Sequence, residues 1–454
     1  MFLVKKIGFR LYSSAYCARN CVFIFSERSV NILATAAVTE KIEKKDIALF
    51  ATCWLGYFFA YFGRMNYSAC MAAIIVAEGY SKGMVGLVGT GLFITYGLGQ
   101  IFSGFLGDYV EPRKMIVVGL IGSSLCNLGM SLAPTLNLMI VVWCINGFMQ
   151  SLLWSPIVRL FAQYFTSHVR GTLGVYINST VPVGTLAAYG FTALILEMTG
   201  NWKMVFFGSF VVVMLTAAGW WAATGVLLPK LKRVDIEDTA PTVSGKDREV
   251  QKAPLGELVL SSGMIFMCLV LMMQGMLKEG ITAWMPNLMG EKFEIGTTLA
   301  IVSTALIPMF NIIGISIAAA ARKIIGDEIR CSFLLFLAGT VSLVILYITS
   351  FIGLIPMFIF FSIATTIMMA VNTCYVGVVP GYFAKKGRSS SVSGILNAFV
   401  NLGIATSMFA TGAFSEAFGW DMTMIFWICC GGAGIFSSFI GYQIWKNYKL
   451  KLET

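Results

Sequence analysis

Residues 47–76 read IALFATCWLGYFFAYFGRMNYSACMAAIIV, an apolar run broken by one charge, Arg64. About 20 such residues cross the hydrocarbon of a bilayer, so the stretch reads as a membrane span with a cation near its middle. Irregular or open-edged backbone cannot face lipid, and the run is too long and too evenly apolar for a barrel strand, which leaves a helix. A basic side chain at that depth costs roughly 2.5–3.5 kcal/mol on insertion scales, and it persists where it faces a cavity or an anionic partner. Lys278 stands in the same way inside a second apolar stretch, residues 258–289. Two buried cations point to an anion site.

Working outward, apolar runs of spanning length recur to Trp445, with expected bounds 47–76, 85–108, 113–133, 137–163, 171–197, 203–228, 258–289, 297–321, 331–351, 354–378, 391–415 and 422–445. The fold class is an all-α membrane protein of twelve transmembrane helices. Only 12% of the residues are charged, against roughly 25% in a soluble domain, and the mean hydropathy is +0.81. The basic residues sort by loop. Arg113, Lys114, Arg170, Lys230, Arg322, Lys323, Arg330, Lys385 and Arg388 fall on one side, while the other carries Lys82, Lys203 and Lys292. The positive side is cytoplasmic, and an even number of spans puts both termini there. The formal charge of +10 is thus mostly topology, and its dispersal among loops argues against a nucleic-acid partner.

The polar stretch 230–256 is expected to be a cytoplasmic linker between two six-helix bundles, 46–229 and 257–446, with a short tail at 447–454. Tyr164, Phe165, Arg170 and Trp202 recur as Tyr382, Phe383, Arg388 and Trp420 at one constant offset, which makes the halves pseudo-symmetric. Arg64 and Lys278 then occupy corresponding helices and can face one cavity. Residues 1–45 are basic and contain serines, and are expected to be a disordered tail or to follow from a start codon placed too far upstream, not an organelle presequence. The eleven cysteines lie mostly within spans and form no disulfide framework. There is no HExxH, no Walker sequence, and no Ser/His/Asp set able to assemble in the membrane, so enzymatic chemistry, cofactors and metals are not implied. The only histidine, His168, falls in a loop.

Tyr57, Tyr61 and Arg64 share one helix face, and phenol hydroxyls beside a cation suit an oxyanion. The ordinary use of a membrane arginine is a structural ion pair, yet the spans hold almost no acids to supply one. Glu279 adjoins Lys278, but consecutive helical residues point about 100° apart and are not expected to pair. Glu279 can instead reach Arg64 or carry a coupled proton. Gln150, Asn178, Asn311, Asn372, Asn397 and Asn401 are amides within spans, where many serve to bond one helix to another.

On these residues the chain resembles the organophosphate:phosphate antiporters of the major facilitator superfamily, over about 400 residues from Asp46 onward. The stretch YFFAYFGRMNY, with Tyr57, Tyr61, Arg64 and Asn66, is similar to that family's tyrosines and phosphate-binding arginine. QSLLWSPIVR, carrying Gln150, Trp154, Pro156 and Arg159, resembles its Q-x-x-x-W-x-P-x-x-R run, and KEGITAWMP places Lys278 where the family has a second arginine. Gly104, Asp108 and Arg113 resemble the superfamily's cytoplasmic signature, which implies a conformational gate. The departures lower the cationic character of the site: Lys278 for arginine, Gln100 where relatives carry a lysine, Val181 where one carries a histidine, and Asn401 for a tyrosine.

The resemblance implies substrate-binding roles for Arg64, Lys278, Tyr57, Tyr61, Gln150, Gln100, Asn178 and Asn401. It also implies a monomeric secondary transporter in the plasma (inner) membrane that exchanges a small organic anion, a glycerol or sugar phosphate, for inorganic phosphate by alternating access. A proton-coupled carboxylate symporter using Glu279 and a transporter-like sugar-phosphate sensor are the other two readings.

Overall fold

The computed structural model describes residues 44–166, 176–231, 261–383 and 389–453, with the isolated positions 169, 173, 258 and 259. The tail before residue 44, the linker from 232 to 257, His168, Arg170 and Arg388 lie outside the described residues. Gly104 and Asp108 are placed by the backbone alone, the Asp108 side chain lying outside the described set.

The first sixth of the described chain holds α1 (Lys44–Ala60), a 3₁₀ turn (Tyr61–Gly63), α2 (Asn66–Glu78) and α3 (Lys82–Tyr109). Next come α4 (Pro112–Leu132), α5 (Leu136–Tyr164), α6 (Thr180–Thr199) and α7 (Trp202–Leu227). After the linker follow α8 (Met264–Gly275), a π turn (Met276–Gly280), α9 (Ile281–Phe293), α10 (Thr297–Ala305), α11 (Ile307–Ile325), α12 (Glu328–Thr349), α13 (Leu354–Tyr382) and α14 (Ser389–Glu453). Side-chain caps fix several starts: Ser81 accepts from the Met84 amide at 3.2 Å, Asn201 from Lys203 at 3.0 Å, and Asp327 from Ile329 and Arg330 at 3.0 and 2.9 Å. Each supplies an acceptor for amides that a first turn leaves without one.

Eleven stretches among the described residues are long and apolar enough to cross a membrane, and the first ten follow the expected spans to within six residues at either end. The difference from the expected twelve lies in the last, Val392–Lys449, which runs 58 residues. At 1.5 Å per residue this is about 87 Å, far beyond one crossing. Its helix bends at Gly419, whose φ of 77° and ψ of 174° are not helical and suit a residue without a Cβ. Residues 416–421 fall between the expected spans 391–415 and 422–445, yet the chain departs from helix there only at Gly419.

The N-terminal and C-terminal helices are joined at the end of the bundle that carries Lys82. Lys82 Nζ lies 2.6 Å from Glu291 Oε2, which also accepts from the Trp420 indole at 2.8 Å. The Gly83 amide donates to Glu416 at 3.3 Å and Thr298 donates to Glu197 at 2.8 Å. Slightly deeper, Thr90 donates to the Ala405 carbonyl at 2.7 Å. At the opposite end, the ion pairs among the described residues stay within one half, with Arg322 to Glu328 at 3.2 Å and Lys449 to Asp327 at 3.7 Å. The recurring tryptophans do matching work, since Trp202 donates to Glu78 at 3.1 Å as Trp420 does to Glu291.

Candidate functional site

The first span stops being α-helical where the cation sits. After Ala60 the backbone tightens into the 3₁₀ turn, and Arg64 closes it with φ −125° and ψ −46°. The carbonyls this break strands would be costly in an apolar interior. Amides from α4 and α5 satisfy them: Asn127 and Asn146 donate to the Gly63 carbonyl at 3.0 and 2.8 Å, and Gln150 donates to the Ala60 carbonyl at 3.1 Å. Ser123 ties the group together, accepting from Gln150 and donating to Asn146 at 2.8 and 2.7 Å. Only glycine allows this approach, because a Cβ at residue 63 would stand 2.9 Å from Ser123 Oγ and 3.1 Å from Asn127 Nδ2.

The seventh span breaks at the corresponding depth in the opposite sense. Met276–Gly280 forms a π turn, a wider turn often found at functional sites. Ser407 donates to the Met276 carbonyl at 3.2 Å, and a Cβ at Gly280 would stand 2.0 Å from the same hydroxyl oxygen. Lys278 and Glu279 both point from this turn into the interior and form an ion pair. The expectation that adjacent residues would not pair is therefore corrected. Widening the turn brings successive side chains closer to one face, and both are long enough to meet over it. The lysine is 12% exposed and the carboxylate 35%, so Glu279 is the more open partner.

Between the two breaks lies a cavity of about 280 Å³. Tyr57, Tyr61, Arg64, Asn178, Lys278, Glu279 and Asn401 all line it. The Tyr57 and Tyr61 rings meet edge to face at 5.5 Å. The Arg64 guanidinium carbon lies 4.7 Å from the Tyr61 ring centre and 5.2 Å from that of Tyr96, within cation–π range. Arg64 has no carboxylate within ion-pair distance among the described residues, and its Nε is buried without a hydrogen-bond partner. The Asn311 amide oxygen, also at the cavity, is buried and unpartnered.

Gln150 and Gln100 do not line this cavity. Gln150 is buried and its amide is committed to the helix break just described. Gln100 is half-buried on α3, one turn beyond Tyr96. Arg113 lies at the basic end, where its guanidinium donates to Thr224 Oγ1 at 3.0 Å and to the Trp221 carbonyl at 2.8 Å. Polar lining residues that the sequence did not single out are Ser68, Tyr96, Thr185, Tyr189 and Thr282. Asn178, Pro182, Thr185 and Tyr189 recur at helical spacing on one face, a signal that marks the wall contributed by α6.

A chain of apolar spans around a central cavity, with matching broken helices in each half, invites comparison with known proteins. Residues 53–393 match the Major Facilitator Superfamily. The chain belongs to that superfamily. Members are membrane transporters and not enzymes. This facilitator is 31% identical over 159 residues to the probable hexose phosphate transport protein of Chlamydia trachomatis, a match covering 35% of each chain. It is also 31% identical over 135 residues to the membrane sensor protein UhpC of Escherichia coli, covering 29% of this chain and 30% of that one. The chain thus matches about a third of the length of these relatives. A bacterial homologue of the human lysosomal transporter Spinster, in its inward-facing unoccupied conformation, shares the fold with a TM-score of 0.74, covering 89% of this chain and 98% of that one at 14% identity.

Proposed function

We propose that this facilitator exchanges a phosphate ester, a glycerol phosphate or sugar phosphate, for inorganic phosphate across a plasma (inner) membrane by alternating access. The observation that carries the reading is Arg64, a guanidinium in the cavity with a buried, unpartnered Nε–H and no carboxylate paired with it among the described residues. Such a group demands an anion, and its planar fork suits phosphate oxygens. Tyr57 and Tyr61 add hydroxyl donors, Asn178 and Asn401 add amides, and Lys278 becomes a second cation when the anion displaces Glu279. The chain works as a monomer of two six-helix bundles, residues 46–229 and 257–446, with both termini cytoplasmic. The bonds around Lys82 close the outer side, so the cavity opens inward. Transport then consists of rocking the halves about the anion, whose charge screens cations that otherwise hinder their approach.

Reconstituted protein tests this reading. Vesicles preloaded with inorganic phosphate should take up labelled hexose phosphate several-fold faster than unloaded ones, without a pH gradient. Two readings have an observation behind them. The Lys278–Glu279 pair favours proton-coupled symport if internal phosphate has no effect while an inward proton gradient drives accumulation that Glu279→Gln abolishes. Similarity to a membrane sensor protein favours sensing if the ligand binds and no flux follows.

A further inference from the structure

Outside the central cavity, α1 and α7 leave between them a groove of about 470 Å³ on the outer face of the bundle. Its lining is apolar in fact as well as in composition. Thr52 and Thr216 turn their hydroxyls back onto the carbonyls of Ala48 and Val212, each at 2.8 Å, and so present methyl groups. Leu55 and Leu215 flank it at 48% and 67% exposure. The groove is deep because both helices are thin there. A Cβ at Gly219 would meet nothing within 4 Å, while one at Gly56 would already stand 3.1 Å from Trp220.

One end of the groove is cationic. Lys45 precedes Thr52 by seven residues on α1, about 10 Å beyond the apolar lining on the same helix face, and Lys230 follows Ala223 by seven, in the 3₁₀ turn Leu228–Lys230 that continues α7 at the same end of the groove. Both are exposed. Lys44 adds to them, and Asp46 is the only carboxylate among the described residues beside them on either helix. An apolar channel that faces hydrocarbon and ends in a net positive mouth has the chemistry of an anionic phospholipid site.

We propose that the groove between α1 and α7 seats one acyl chain of an anionic phospholipid whose phosphate lies between Lys45 and Lys230. Lysine stems reach along the apolar surface and hold their ammonium groups at headgroup level, which sets the depth of the lipid. Bound there, the lipid braces α1, whose far end leads through the 3₁₀ turn to Arg64, against α7.

The test is native mass spectrometry of the full chain in detergent, titrated separately with dioleoyl phosphatidylglycerol and dioleoyl phosphatidylcholine. The anionic lipid should bind more tightly than the zwitterionic one. Lys45→Gln combined with Lys230→Gln should weaken phosphatidylglycerol by about 25-fold, roughly fivefold per lysine, and leave phosphatidylcholine unchanged. Gly219→Leu, whose Cβ meets nothing within 4 Å and whose branched end projects into the groove, should weaken both lipids, whereas Gly219→Ala should keep most of the binding. Equal affinity of the wild type for the two lipids would overturn the proposal. So would phosphatidylglycerol binding that survives Gly219→Leu, and so would a failure of the full chain to bind either lipid, which would mean that something else covers the groove. Unchanged anion binding in the central cavity shows that each variant is folded.

Discussion

The first and seventh spans both leave the α-helix at the level of the cavity, and they do so in opposite senses. Near Tyr61 the backbone tightens, strands carbonyls that Asn127, Asn146 and Gln150 must satisfy, and delivers Arg64 with no ion pair among the described residues. Near Met276 it widens, keeps its hydrogen bonds largely within the helix, and delivers Lys278 together with its own counter-ion. The N-terminal cation is therefore permanent, held by a rigid polar scaffold, and the C-terminal one is conditional, available when Glu279 releases it. With all three groups ionised the cavity holds a net single positive charge. On the proposed exchange, an anion carrying two charges would satisfy Arg64 and compete with Glu279 for Lys278, so the asymmetry would discriminate by charge as well as by shape.

The largest expected effect falls on the permanent cation. Arg64→Ala should weaken phosphate-ester binding by about 3 kcal/mol or more, over a hundredfold, and abolish uptake. Arg64→Lys should leave a small residue of activity, because charge survives and the planar fork does not. Near-normal transport by Arg64→Ala, measured in proteoliposomes, would remove the distinction between the two breaks.

The conditional cation should respond differently. Glu279→Gln raises the cavity charge by one unit. Two unit charges 4 Å apart interact by about 4 kcal/mol at an effective dielectric near 20, and about a third of that surviving desolvation tightens a divalent anion roughly tenfold. Calorimetry at neutral pH measures it. A loss of affinity instead would mean that Glu279 is needed by the ligand, as in the symport reading. Lys278→Arg should preserve or improve phosphate-ester binding, and complete loss would argue that Lys278 is tuned to a carboxylate.

The scaffold behind Arg64 gives a smaller effect with a distinct signature. Gln150→Leu leaves the Ala60 carbonyl without its donor in a buried setting, at a cost of about 1–3 kcal/mol. The thermal midpoint should fall by several degrees while anion affinity drops only a few-fold, because the side chain positions the break and does not line the cavity. A binding loss as large as that of Arg64→Ala with no change in stability would make Gln150 a direct ligand.

What the sequence made legible follows from what each signal measures. Charge inside an apolar run marks Arg64 and Lys278 without any partner being known, since the cost of burial is local. Helical spacing places Tyr57 and Tyr61 beside Arg64 for the same reason. The role of Gln150 was not legible, because an amide in a span reads alike whether it meets a ligand or a stranded carbonyl, and the break at Tyr61–Gly63 carries no proline to announce it. The Lys278–Glu279 pair was hidden likewise, since the 100° rule holds for an α-helix and fails in a π turn. Tyr96 and Tyr189 were missed because membrane tyrosines are common, and only the face shared with Asn178 and Thr185 sets Tyr189 apart.

The smallest expected effect belongs to Gln100, where the antiporters that this chain resembles carry a lysine. Helix α3 contributes Tyr96 to the cavity, and Gln100 lies one turn further toward the basic end, outside the lining. In the proposed inward-facing arrangement a lysine introduced there would sit near the opening, where water and salt screen it, and its flexible stem would carry the ammonium away from Arg64 as readily as toward the anion. Gln100→Lys should therefore change the affinity for a phosphate ester by less than about twofold in this arrangement of the halves. Its effect on a monocarboxylate of similar size should be equally small. If calorimetry instead shows phosphate-ester binding tightened tenfold while the monocarboxylate is unmoved, position 100 reaches the anion. The conditional cation of the seventh span would then have a counterpart on α3, and the contrast between one permanent and one conditional charge would give way to a site that relatives complete with a third.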